Sequence, residues 1–249
     1  MSKRKIVLVT GSTKGIGLEI ASVFNENNHK VIVNGRNEIS IKDEKILNEK
    51  GFDYIKCDFS NVRNVSRASD RLKKKYGKLD ILICNVGGST HAGIQLDTKN
   101  EWDRAFGQNF FTTINAINYF KNLLPMGKGK IICISSICGV EHIPGAPIAY
   151  SVSKAALNAF VREASVLLAQ DGISINAVAP GHILFDGSVW DVKLKNNLSE
   201  TKKFIQNEIS QKKFGKKRDV ADLVYWLSSD SSNYITGSII KIDGGATRS

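Results

Sequence analysis

The chain is short of cysteine, proline, histidine and long apolar runs, and each shortage closes off a class of protein. Only four cysteines occur in 249 residues: Cys57, Cys84, Cys133 and Cys138. None forms a C-x-x-C pair and three lie in apolar, strand-like runs. They read as reduced thiols of a cytoplasmic protein, not as a disulfide framework. Cys138, two residues beyond a Ser-Ser pair, is the one placed to reach the rim of a site. The four prolines form no Pro-rich linker that would divide the chain. No two of the four histidines have metal-ligand spacing, so no metal is expected. No run of eighteen apolar residues exists, so no membrane span is expected. The apolar stretch near the N-terminus is only IVLV and leads into a Gly turn, which reads as a first strand and not a signal peptide.

Acid is scarce relative to base. The formal charge is +11, and the excess is uneven. Between Lys193 and Arg218 there are nine Lys/Arg against Glu200 and Glu208, a local net of +7. Such a segment suits an anionic partner, although solvated lysine faces would give the same count. No nucleic-acid partner is expected, because no aromatic platform or recognition motif accompanies the charge.

What is present is a strict alternation. Apolar runs rich in Val and Ile (KIVLVT, KVIVNG, DYIKC, LDILICN, KIICIS, ISINAVAP, SIIKID) alternate with helix-period segments at about 15–27, 40–50, 61–76, 98–124, 149–169 and 219–229. Near-continuous apolar strands are what a parallel sheet covered on both faces requires. The expected fold is α/β: a doubly wound, seven-stranded parallel sheet of the Rossmann kind, one domain over residues 1–249. The pattern turns polar and basic over about 184–213. An insertion there would lie at the carboxyl end of the sheet, where it could serve as a lid.

The turn after the first strand reads TGSTKGIG. Gly11, Gly15 and Gly17 permit a tight turn and close backbone approach, and the following helix N-terminus attracts anions. Gly11, Ser12, Thr13, Lys14, Gly15, Ile16 and Gly17 are therefore candidates to hold a pyrophosphate, against a plain βα turn without ligand. The second strand ends VNGRN. A dinucleotide with a free ribose diol wants an acid here and a 2′-phosphate wants a cation. Arg36 and Lys14 with no carboxylate favour NADP(H) over NAD(H). Asp58, with Phe59 beside it, ends the third strand; Asp58 would accept from an adenine amino group or cap the next helix. Asn85 and Gly87 end the fourth strand, where glycine again suggests close approach to a ligand.

Ser136 ends the fifth strand, and Tyr150 and Lys154 follow one helical turn apart. Taken alone, Y-x-x-x-K is most often a tyrosine over an aliphatic lysine stem. Together with TGSTKGIG, CDFS, NVGG, Asn109 in GQNFF, YSVSK, APGHI and the terminal YITGSIIKIDGG, it resembles the short-chain dehydrogenase/reductase family over essentially the whole chain. The resemblance implies that Tyr150 is the acid for ketone reduction or the base for alcohol oxidation. A free phenol titrates near pH ~10, and Lys154 would lower that value while holding the nicotinamide ribose. Ser136 would donate to the substrate carbonyl, and Asn109 would hold a water of a proton relay. Pro180, Gly181 and Ile183 would line the cofactor, which supplies hydride without a metal.

Two departures stand out. NVGG lacks the usual second Asn or Ala. Phe185 replaces a threonine that commonly bonds the cofactor, with Ser188 as a substitute. His142, His182, Trp190 and Phe185 would face substrate, or else pack as loop and lid residues. The resemblance further implies a homotetramer or homodimer through the 98–124 and post-Tyr150 helices. Three readings follow: an NADPH-dependent reductase resembling the 3-oxoacyl-carrier-protein reductases, with a small-molecule or carrier-bound, anionic carbonyl substrate; an oxidoreductase of a sugar, nucleotide-sugar or polyol; and a non-catalytic NADP-binding protein, disfavoured by the complete Asn-Ser-Tyr-Lys set. NAD-linked oxidation of a small alcohol is the remainder.

Overall fold

The computed structural model describes residues 4–40, 45, 47, 49–89 and 98–248. Seven parallel strands form one sheet: β1 (Ile6–Val9), β2 (Lys30–Gly35), β3 (Phe52–Lys56), β4 (Ile81–Cys84), β5 (Lys130–Ile134), β6 (Ser174–Pro180) and, last in the chain, β9 (Ile239–Ile242). Their spatial order is β3-β2-β1-β4-β5-β6-β9, so the chain reverses direction across the sheet between β1 and β4. In a doubly wound sheet that reversal opens a crevice at the carboxyl ends of the strands.

Alternate residues of each strand feed the two faces, as the period of two requires. Leu8, Ile32, Leu82, Ile131 and Ile175 join one core with Phe120, Leu157 and Val161. Val7, Val9, Val31, Val33, Ile81, Ile83 and Ile132 join the other with Ile20, Phe24, Val220 and Val224. The covering helices are α1 (Gly15–Glu26) and α8 (Lys217–Leu227) on the second face, and α2 (Val62–Tyr76), α4 (Thr112–Phe120) and α5 (Ile148–Gln170) on the first. No helix of the described residues is long and apolar enough to cross a membrane.

All seven strands fall on the expected runs. The helix expected at 40–50 lies largely outside the described residues. The segment expected as one helix over 98–124 is interrupted: α3 (Lys99–Phe106) passes into a π-helical turn, Gly107–Phe111, before α4. The 184–213 segment is more regular than its polar sequence suggested. Two short strands, β7 (Ile183–Leu184) and β8 (Gly215–Lys216), bracket two helices, α6 (Val189–Asn196) and α7 (Leu198–Glu208). Ser188, Asn197 and Asp191 supply the caps and first-turn charge that make these helices hold.

Candidate functional site

The glycine turn is built for close approach. Gly11 and Gly15 have φ of 60° and 63°, a region L side chains rarely adopt. A methyl on Gly17 would collide with the Asn85 amide and lie 2.6 Å from the Gly11 carbonyl oxygen. Lys14 is the N-cap of α1 and supplies no side-chain acceptor to its first-turn amides, so those donors face the turn free of a cap. Such a turn fits an anionic pyrophosphate, which supports a dinucleotide cofactor here. Ser12 is fully buried and spends its hydroxyl on the Val9 carbonyl at 2.7 Å, while Thr13 and Lys14 are exposed.

Two asparagines hold the turn, Asn34 buried and Asn85 half-buried. Asn34 accepts from the Gly11 N–H at 2.9 Å and donates to the carbonyls of Ile55 and Cys57. Asn85 donates to the carbonyls of Thr10 and Gly11 at 3.0 and 2.9 Å. Asn85 thus acts through the turn with its side chain. Asn34 was read only as a missing carboxylate; an amide inside an otherwise apolar strand was the signal for its role.

Asp58 is neither the cap of α2 nor a free acceptor. Its Oδ1 takes the Ser60 N–H at 2.9 Å and the Ser60 hydroxyl at 2.7 Å, and Asn61 caps the helix. Phe59 is a core residue, 6.0 Å from Phe120 between ring centroids, and its carbonyl accepts from Asn115.

The chemical groups converge at the carboxyl ends of β4 and β5. Asn109 sits in the π-helical turn, a distortion frequent at functional sites. Its Oδ1 accepts from the Gly88 N–H at 2.8 Å. A methyl on Gly87 would lie 2.9 Å from Asn109 Oδ1 and 3.0 Å from Lys154 Nζ, so glycine there keeps the two groups within reach of one another. Lys154 donates to the Ile134 carbonyl at 2.9 Å, and its Nζ lies 5.9 Å from the centroid of the Tyr150 ring. Ser136 accepts from the Cys138 N–H at 3.2 Å, and its hydroxyl acts on the Tyr150 phenol. Gly139 is required because a Cβ there would lie 2.8 Å from the Ala155 nitrogen of α5.

Burial sets the electrostatics. It pushes the Tyr150 phenol up to about 12, against the lowering effect of the Ser136 bond. It pulls the Lys154 ammonium down to about 8, with Cys133 and Cys138 opposing. Among the protein's own groups desolvation outweighs the lowering effect of Ser136 on the phenol.

Pro180 ends β6, and the Gly181 N–H bonds the Ile242 carbonyl at 2.9 Å. Ile183 is buried in the second core. The Phe185 ring lies across the glycine turn, 3.3 Å from where a Gly15 Cβ would stand, which suits an apolar side chain at that position. Ser188 is no stand-in hydroxyl acceptor, since its oxygen takes the N–H groups of Phe185 and Asp191. His182 and Trp190 pack with Phe204, and Trp190 also meets Phe214. His142 is exposed.

Asn158, which sequence reasoning passed over, is 3% exposed and bonds Ser135 and Gly139 on either side of Ser136. Its signal was present: it lies one further turn along the face that carries Tyr150 and Lys154.

A family model described as enoyl-(acyl carrier protein) reductase matches residues 11–247. The chain is 32% identical over 254 residues to the 3-oxoacyl-(acyl-carrier-protein) reductase FabG of Staphylococcus aureus, covering 98% of this chain and 99% of that one. It is 31% identical over 248 residues to an uncharacterized oxidoreductase of Thermotoga maritima, covering 98% and 97%. Among solved structures, the L-sorbose reductase of Gluconobacter frateurii, complexed with NADPH and L-sorbose, superposes with a TM-score of 0.87 at 25% identity, covering 98% of this chain and 97% of that one. Sheet order, glycine turn and the serine–tyrosine–lysine edge together define an oxidoreductase built on a doubly wound nucleotide-binding fold. The chain belongs to the short-chain dehydrogenase/reductase family.

Proposed function

We propose that the protein is an NADP(H)-dependent reductase that converts a carbonyl to a secondary alcohol, with a 3-oxoacyl thioester as its substrate type. The observation that carries this reading is the meeting of Asn109 and Lys154 at Gly87, with the Tyr150 ring centroid 5.9 Å from Lys154 Nζ and Ser136 acting on the Tyr150 phenol, at the carboxyl edge of β4 and β5. The nicotinamide supplies hydride when bound. Ser136 orients the carbonyl oxygen, and Tyr150 delivers its phenolic proton to that oxygen. A phenol held near 12 remains protonated at neutral pH, as a proton donor must. Lys154, close to Asn109, connects the tyrosine to the proton path and holds the ribose. The turn 11–17 and α1 hold the pyrophosphate, with Pro180, Gly181 and Ile183 alongside.

The coenzyme preference rests on charge. Lys14 and Arg36 form no ion pair among the described residues, whereas Glu38 is engaged by Lys56 at 2.8 Å. A phosphate on the adenosine ribose meets cations and no free carboxylate. The lid supports an acyl substrate on a carrier. Lys202, Lys203 and Lys213 form no ion pair among the described residues, and Leu184, Val189, Val192 and Leu198 are exposed beside them. A lid both basic and apolar suits an anionic carrier bearing an alkyl chain. Reduction of a keto-sugar is the second reading, supported by the likeness to L-sorbose reductase. Exposed Phe111, Val166 and Leu167 suit a subunit interface, consistent with a homodimer or homotetramer in the cytoplasm.

The test is NADPH consumption by purified protein with a 3-oxoacyl thioester and a set of keto-sugars, with NADH as control. Turnover of the thioester with NADPH is expected. Consumption of a sugar alone moves the assignment to the second reading, and full activity in Tyr150→Phe overturns the mechanism.

A further inference from the structure

The end of β2 carries a second observation. β2 and β3 run parallel, with Val33 beside Tyr54 and Gly35 beside Lys56. A Cβ built on Gly35 would stand 2.6 Å from the Tyr54 hydroxyl oxygen and 2.9 Å from Thr13 Cγ2. The space that any side chain at position 35 would enter is thus already filled, from one side by Tyr54 and from the other by the glycine turn. The Tyr54 hydroxyl donates to the Asn37 carbonyl at 2.6 Å, which ties down the residue that follows Arg36. Glu38 and Asp58 are both engaged, Glu38 by Lys56 at 2.8 Å and Asp58 Oδ1 by Ser60.

We propose that Tyr54 is a specificity-determining residue for the coenzyme: it bars a diol-binding carboxylate from position 35 and holds the Arg36 segment in place for a ribose 2′-phosphate. The inference rests on the NADP(H) reading above and deepens it. An acid at the end of the second strand binds a free ribose diol. Here an aspartate at 35 meets the Tyr54 hydroxyl as its closest obstacle, with Thr13 Cγ2 the lesser one, so coenzyme choice is set by two strands together. Burial, with Glu38 nearby, raises the Tyr54 phenol, so it stays a neutral donor and adds no negative charge beside a phosphate.

The test is calorimetric titration with two probes, 2′,5′-ADP and 5′-ADP, on the wild type, Gly35→Asp, Tyr54→Ala, their double variant and Tyr54→Phe, each checked for folding. The wild type should bind 2′,5′-ADP at least about tenfold tighter, the value of one charge-assisted bond. Gly35→Asp should lose 2′,5′-ADP affinity without gaining 5′-ADP affinity, and the double variant should prefer 5′-ADP. Tyr54→Phe keeps the ring but loses the bond to Asn37, so the preference should fall about three- to tenfold. Should Gly35→Asp fail to fold, Tyr54→Phe carries the test. A Gly35→Asp protein that switches preference as fully as the double variant overturns the role of Tyr54, as does an unchanged ratio in Tyr54→Phe. A wild type that binds both probes equally overturns the NADP(H) reading itself.

Discussion

The Ser135 hydroxyl donates to Asn158 Oδ1 at 2.6 Å, tying the end of β5 to α5 one turn beyond Lys154. The same asparagine donates to the Gly139 carbonyl at 2.9 Å. Ser136 lies between the two anchors, so its hydroxyl is positioned by a residue that touches no reacting atom.

Asn158→Ala should therefore lower kcat by about tenfold, through a loosened Ser136, while leaving coenzyme affinity nearly unchanged. Two buried partners lose their bonds, at a cost of about 2–4 kcal/mol in stability. Urea unfolding and steady-state kinetics on the same preparation separate the two effects. A kcat equal to the wild type's, in a variant destabilised as expected, would show that Asn158 serves folding alone.

Lys154 is a stability liability kept for function. Its ammonium is buried and its pKa falls to about 8 in the folded protein, against an ordinary value of 10.5. The unfolded chain thus holds that proton more tightly. Below pH 8 the folded state bears the full cost of the buried charge, and between pH 8 and 10.5 that cost is relieved as pH rises. Lys154→Met should abolish turnover yet stabilise the protein at pH 7 by about 2 kcal/mol, the linkage value less one lost bond to Ile134. Above pH 10.5 the linkage contribution is gone and the lost bond should leave the variant less stable by about 1 kcal/mol. Chemical denaturation across that range checks it, and a variant destabilised at pH 7 would falsify the account.

Legibility in the sequence followed a physical divide. Strands β1 to β6 and β9 were readable because continuous Val/Ile runs have only one economical home, a sheet covered on both faces. Gly11, Gly15 and Gly17 were readable because positive φ and close approach leave few alternatives to glycine. What was hidden depends on partners distant in the chain. The bonds of Asp58 to Ser60 and the packing of the Phe59 ring on Phe120 could not be read from the local sequence. The π-helical turn at Asn109 leaves no mark in a helix-period pattern, since one extra residue per turn preserves the apolar face locally. The placing of the Phe185 ring beside Gly15 was equally hidden, because the two residues are 170 positions apart. The lid read as irregular because its helices bury few residues and their polar faces swamp the period.

His182 makes the lid's attachment sensitive to acid. It is 8% exposed, with Trp190 at 4.7 Å and Phe204 at 5.1 Å between ring centroids, so it joins the end of β6 to both lid helices. Burial, aided by Lys193 and opposed by Asp243, lowers its pKa to about 4. Lys193 itself lies 4.6 Å over the far ring of Trp190. The folded pKa lies below the unfolded value of 6.5, so between those values the unfolded state binds the extra proton. Stability from this residue is complete above pH 6.5 and is lost as pH falls toward 4, by about 3 kcal/mol in all. His182→Phe keeps an aromatic ring of similar size without the titration. Moving from pH 7 to pH 5 should cost the wild type about 2 kcal/mol more than the variant in urea unfolding. Equal losses in the two proteins would mean that His182 titrates normally and that the aromatic cluster does not keep it dry. Lys193→Ala should shift the wild-type transition the other way, toward higher pKa and a gentler acid loss, because it removes the cation that opposes protonation.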